Sequence, residues 1–181
     1  MIDVALIQFC APHVAVETIQ RIVQVESAGD IYAVNVNGYG RVHTRALQEA
    51  VSAAERLIEQ GYSVDLGLMQ INSRHLAQLN LTVRQAFEPC SNLKAGAKIL
   101  EEAYREAAGL LGPGQQALQA ALSTYNTGDP ARGLANGYVA QVYAVRLTAP
   151  APVSPAPPRA AVAYNASPTL VLPTKDLNHA P

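Results

Sequence analysis

The strongest constraint on this 181-residue chain is the point at which it stops being able to fold, because at about Thr148 the composition changes abruptly. From Thr148 to Pro181 lie eight of the twelve prolines, many alanines and only Arg159, Lys175 and Asp176 as charges. Such a segment has too little apolar surface to offset the entropy of ordering it. It reads as a flexible Pro/Ala-rich tail (residues 148–181), in which Thr169 to Leu172 is an apolar patch. Any core therefore belongs to residues 1–147, enough for one domain and too few for two large ones.

Within residues 1–147 helical periodicity dominates. Val16 to Ser27 places Ile19, Ile22 and Val23 on one face, Arg41 to Gln60 is rich in helix formers and ends at Gly61, and Ser91 to Leu111 runs into Gly112-Pro113. Gln115 to Thr124 and Tyr138 to Leu147 supply two more helices. Ala33 to Val42 alternates around Asn37-Gly38, a pair that favours a tight hairpin turn. The expectation is a mainly α domain with a small β-hairpin element.

Several function classes fall away on composition. The net charge is −1 and the 13 basic residues are scattered, so no row of phosphates is matched and nucleic acid is not expected as a partner. No apolar run approaches the ~20 residues of a membrane span, and the N-terminus has neither the basic region nor the small-residue cleavage site of a secretory signal. Export is either absent or its signal already removed. His13, His43, His75 and His179 form no HExxH or comparable ligand set, so no metal is expected. There is no GxxxxGK[ST], and Gly38-Tyr39-Gly40 lacks the third glycine of a dinucleotide fingerprint, so no cofactor is implied. Cys10 and Cys90 are far apart and resemble neither a CxxC pair nor a zinc knuckle; they are either a disulfide or two buried thiols. If paired, they close a loop of roughly 80 residues, which contributes about 4 kcal/mol on the chain-entropy model.

Three clusters carry chemistry. Ile19, Ile22, Val23 and Glu26 follow an i, i+3, i+4, i+7 pattern, which extends the apolar stripe of a helix into a carboxylate. Burial without a cationic partner raises a carboxyl pKa, as a general acid near neutral pH requires; the alternative is a frayed last turn, before Ala28-Gly29, that leaves Glu26 in water. The segment Asp65-Leu66-Gly67-Leu68-Met69-Gln70-Ile71-Asn72 has no simple period and suits either a groove wall or a loop that satisfies its own backbone. In a groove, Gln70 and Asn72 offer amides to sugar hydroxyls or acetamido groups, and Met69 an apolar face to a pyranose. Ser123 to Gly128 closes a helix with Tyr125 and Asn126, which can reach the same groove.

In this order, Glu26-Ser27, Gly67-Leu68-Met69-Gln70-Ile71-Asn72 and Tyr125-Asn126 strongly resemble the catalytic domain of the family 1 lytic transglycosylases, from about Cys10 to Leu147. "CAP" at Cys10 to Pro12 and "EPCSNLKAGAKIL" from Glu88 look most like the members that serve type IV secretion and conjugation systems. The resemblance implies a goose-type lysozyme fold and a periplasmic enzyme, its signal removed or truncated, that cleaves peptidoglycan glycan strands. It implies Glu26 as the single acid/base, Ser27 beside it, and Met69, Gln70 and Asn72 in the cleft. It further implies Tyr125 hydrogen-bonded near Glu26, Asn126 in the cleft, Tyr138 flanking the saccharide path and a Cys10 to Cys90 disulfide. Other secretion-channel subunits are implied as partners, with the tail as the contact. The chain departs from the family where Ala28-Gly29-Asp30-Ile31 replaces an aromatic followed by Asn-Pro, and where Val16 replaces a helix-opening proline.

Most glycosidases need two carboxylates. A lytic transglycosylase manages with one, because the C6 hydroxyl of N-acetylmuramic acid attacks its own anomeric carbon. The competing enzyme is a hydrolytic lysozyme with Asp30 or Asp65 as second carboxylate; otherwise Asp30 is a turn residue and Asp65 the N-cap of a short helix. The competing non-enzyme is a wall-binding assembly subunit, against which the intact Glu26 speaks.

Overall fold

The computed structural model describes residues 2–147. The tail and the Thr169 to Leu172 patch lie outside the described residues. The helices are α1 (Val4–Cys10), α2 (Val16–Ser27), α3 (Leu47–Glu59), α4 (Val83–Ala86), α5 (Pro89–Leu111), α6 (Gln115–Thr127), α7 (Arg132–Ala135) and α8 (Tyr138–Ala144). The strands are β1 (Val34–Val36), β2 (Gly40–Val42), β3 (Val64–Leu66) and β4 (Ile71–Asn72).

The expected α2 is found with the boundaries read from its pattern, and Ile19, Ile22 and Val23 are buried. It ends where Ala28 (φ 53°) and Gly29 (φ 83°) turn left-handed. The helix expected from Arg41 begins only at Leu47, because backbone pairing to β1 claims Arg41 and Val42. The last expected helix stops at Ala144 rather than Leu147, and α6 continues to Thr127. Pro89 sits in the first turn of the 23-residue α5, where its missing N–H leaves no donor unpaired. Small residues along α5 let neighbours approach closely: a Cβ on Gly96 would lie 2.4 Å from the Met69 sulfur.

The expected hairpin is half of an antiparallel sheet in the order β2-β1-β3-β4. Its register sorts the side chains into two cross-strand rows. Val42, Val34, Leu66 and Ile71 align, and all but Val42 are fully buried. Arg41, Asn35, Asp65 and Asn72 form the adjacent row, which the two-residue period of a strand turns to the opposite face. The core of the domain thus takes one face of a small sheet, and the other face is free to be polar.

Candidate active site

That polar face is one wall of a cavity of about 500 Å³; its other walls come from α2, α6 and the turn after β4. Glu26, Asp65, Gln70, Asn72, Tyr125 and Asn126 all line it. A larger hollow of about 580 Å³, beside α5, is lined by none of the residues expected for the site.

Glu26 reaches this cavity because α2 carries it one turn beyond Ile22 and Val23, at the edge of the buried stripe. It is half-buried. The Tyr138 hydroxyl donates to Glu26 Oε1 at 2.6 Å, which leaves the second oxygen to carry a proton. Burial is the main cause that pushes the carboxyl up to about 7; the Tyr138 bond pulls it down, and the charge of Asp65 adds to the rise. Burial also holds both Tyr138 and Tyr125 well above the usual phenol range, so each stays a neutral donor.

The two tyrosines exchange the places expected of them. Tyr125 does not bond Glu26; its hydroxyl donates to the Met69 carbonyl at 2.7 Å and fixes the floor of the cleft. Tyr138, expected along the saccharide path, is the residue that holds the acid. Its ring is buried, so it contributes through its hydroxyl alone.

Burial corrects two further expectations, and hydrogen bonding a third. The Met69 side chain is fully enclosed against Gly96 and presents no face to a sugar; the peptide group of Met69, not its thioether, shapes the cleft. Ser27 is also buried, and its hydroxyl donates to the Leu68 carbonyl at 2.8 Å, stapling the end of α2 to the cleft segment. Gln70 lines the cavity, yet its amide is engaged: Nε2 donates to the Gly67 carbonyl at 2.8 Å and Oε1 accepts from Asn35 at 2.6 Å. It holds the Gly67 to Gln70 turn, in which Gln70 itself takes a left-handed φ of 50°.

Asn72 and Asn126 lie in the cleft as expected. Asn72 donates to Asp65 Oδ1 at 2.7 Å and its own Oδ1 accepts from the Arg74 N–H at 3.0 Å, while Asn126 Oδ1 accepts from Asn136 at 3.1 Å. Asp30 is the turn residue of its milder reading. Its carboxylate accepts from the Tyr32 N–H at 2.9 Å and pairs with Arg41 at 2.6 Å, outside the cavity wall. Asp65 is no helix cap; it lies in the middle of β3 and faces the cleft.

The residue that sequence reasoning missed is Asn92. Fully buried on α5, it accepts from the Met69 N–H at 2.8 Å and donates to the Leu66 and Ala86 carbonyls at 2.8 and 2.6 Å. One side chain thereby satisfies the backbone that enters and leaves the Gly67 turn, where an added Cβ would strike Asn92 itself. Its signal was its place on the apolar face of α5, three residues before Ala95-Gly96-Ala97. Cys10 and Cys90 are joined, with their Cα atoms 5.3 Å apart, which ties α1 to the start of α5.

A helical frame, a small sheet and, in the groove between them, a half-buried glutamate whose carboxyl is pushed up to about 7 define the lysozyme-like class. More particularly, residues 5–144 match the Transglycosylase SLT domain, and the chain belongs to that family. It is 41% identical over 156 residues to the type IV secretion system protein virB1 of Brucella abortus, covering 84% of this chain and 65% of that protein. Protein virB1 of Agrobacterium fabrum is 42% identical over 135 residues, covering 74% of this chain and 54% of its own length. The chain thus spans less than two thirds of the relatives it matches. No solved structure matches it.

Proposed function

We propose that this chain is a peptidoglycan lytic transglycosylase that cleaves the β-1,4 bond between N-acetylmuramic acid and N-acetylglucosamine and leaves 1,6-anhydro ends. The observation that carries the reading is Glu26, held by Tyr138 on the wall of an amide-lined cavity with its carboxyl pushed up to about 7. Such a group is still substantially protonated near neutrality and can act both as acid and as base.

In the first step the Glu26 proton passes to the glycosidic oxygen as the C1–O bond breaks. The C6 hydroxyl then bonds to C1, and its proton returns to Glu26. One C–O bond is exchanged for another, the acid is regenerated and no water is consumed. Because nucleophile and electrophile belong to one sugar ring, the attack has an entropic advantage over capture of water. Asn126 offers its amide along the strand; Ser27, Met69, Gln70 and Asn72, whose own amide is bonded to Ser63 and Asp65, support it by holding the cleft together.

The family match and the secretion-system names of the relatives support a role in opening the wall locally for a type IV channel, in the periplasm. Among the described residues no helix is long and apolar enough to cross a membrane. The tail, residues 148–181, is the segment we assign to contacts with channel subunits.

Mass spectrometry of muropeptides released from purified sacculi tests the reaction. Anhydro-muramic ends are expected from the wild type and none from Glu26→Gln, which should lose at least about 10²-fold in rate while remaining folded. Reducing ends would instead make the enzyme a hydrolytic lysozyme, with Asp65 as the second carboxylate. Tight wall binding without lysis, unchanged in Glu26→Gln, would leave an assembly module.

A further inference from the structure

The cleft contains a second carboxyl that a one-acid mechanism leaves unused. Asp65 occupies the centre of β3, paired with Asn35 on one side and Asn72 on the other, in the polar cross-strand row. It therefore lines the same cavity as Glu26, from the sheet side. The two carboxyls differ in what solvates them. Glu26 accepts from a phenol, whereas Asp65 accepts from the Asn72 amide at 2.7 Å and has His75 close enough to favour its anion.

Two carboxyls that face one poorly hydrated space do not ionise independently, and the proton stays on the one whose anion is less well supported. We propose that Asp65 is a positioning residue that acts through Glu26: as the anion on the sheet wall, it keeps the reactive proton on Glu26 until the glycosidic oxygen takes it. Once that proton has gone, the same repulsion makes the Glu26 carboxylate a stronger base toward the C6 hydroxyl.

The other groups around Glu26 are consistent with this. Tyr138 on α8 and Tyr125 on α6 stay neutral, so neither supplies the charge. Arg74 and His75, on the turn after β4, line the same cavity, and His75 together with the Asn72 amide favours the Asp65 anion. Burial raises Asp65 itself, so the device weakens as the pH falls and both groups take protons.

This inference rests on Glu26 being the acid, and the experiment separates the two. The pH dependence of kcat/KM on purified sacculi is measured for the wild type, Glu26→Gln, Asp65→Asn, Asp65→Glu and Asp65→Ser, with thermal unfolding to confirm that each is folded. Asp65→Asn and Asp65→Ser should lose several-fold at about pH 8 and little at about pH 5, their alkaline limb displaced to lower pH. Asp65→Glu should keep the wild-type limb. A limb that does not move, a loss equal at every pH, or a displacement shared by Asp65→Glu would overturn the assignment while leaving Glu26 intact. If instead Glu26→Gln cuts as well as the wild type, the reading of the site fails before Asp65 is in question.

Discussion

In the proposed reaction Glu26 is a neutral acid, and its surroundings disfavour the charge that folding must accept above neutrality. The carboxyl rises from an ordinary 4.5 to about 7 in the folded chain. A raised acid costs nothing below 4.5, where both states hold the proton, and costs most above about 7, where the folded state must bury an anion. Glu26→Gln should therefore be more stable than the wild type by up to about 3 kcal/mol at alkaline pH. The gain should vanish at about pH 4, in denaturant unfolding at the two pH values. A variant no more stable at high pH would mean that water reaches the carboxylate. Tyr138→Phe tests the other influence: its hydrogen bond lowers Glu26, so the alkaline limb of activity should move to higher pH, opposite to the displacement expected for Asp65→Asn. Glu26 was legible because a helix repeats its face every third or fourth residue, and the residue after Ile19, Ile22 and Val23 in that series is a carboxylate. The partner of its carboxyl was not legible, since Tyr125 and Tyr138 lie on different helices and nothing local ranks one phenol above the other.

The element that shapes the cleft is neither helix nor strand but the turn from Gly67 to Gln70, held from four directions. Asn92 clamps it from α5, Tyr125 from α6, Ser27 from α2 and Asn35 from β1. Asn92 makes three hydrogen bonds in a fully buried setting, one to the turn itself and two to the Leu66 and Ala86 carbonyls, so Asn92→Ala leaves two backbone carbonyls and one N–H without their partner. A loss of about 2–4 kcal/mol is expected in denaturant unfolding, together with reduced activity in the folded fraction because the Met69 carbonyl shifts under Tyr125. A cost below about 1 kcal/mol would show that water replaces the amide. The turn was recognisable from its glycine and amides, but its strands were not. β3 and β4 have only three and two residues, too few to display a two-residue period, and so the Asp65 row emerged only when the register aligned it. The same brevity explains why Met69 was read toward solvent: without a period there is no face to assign.

On the scale of the whole domain, the problem is how a fold that includes the seven-residue α1 keeps the helix that carries Glu26 in place. A helix as short as α1 is marginal by itself, and its N-cap bond from Ala5 to Asp3 is exposed. The Cys10–Cys90 bridge fastens it to α5, the longest helix, across 80 residues of sequence. The α2 helix, which carries Glu26, has independent anchors: its buried stripe, Ser27 at its end, and Arg21, which donates to the Tyr143 carbonyl at 2.8 Å. The bridge should therefore govern how stable the domain is and leave the cleft geometry alone. Replacing both cysteines with serine removes a loop constraint of about 4 kcal/mol from the unfolded chain, enough to lower Tm by about 10 °C in a domain of this size. Activity at low temperature should survive, since neither cysteine lines the cavity. The same shift should follow when the wild type is heated with a reductant, and the double variant should then show no further change. If the folded double variant loses activity at a temperature well below its Tm, α1 is part of the catalytic frame, and the division of labour between bridge and cleft is wrong.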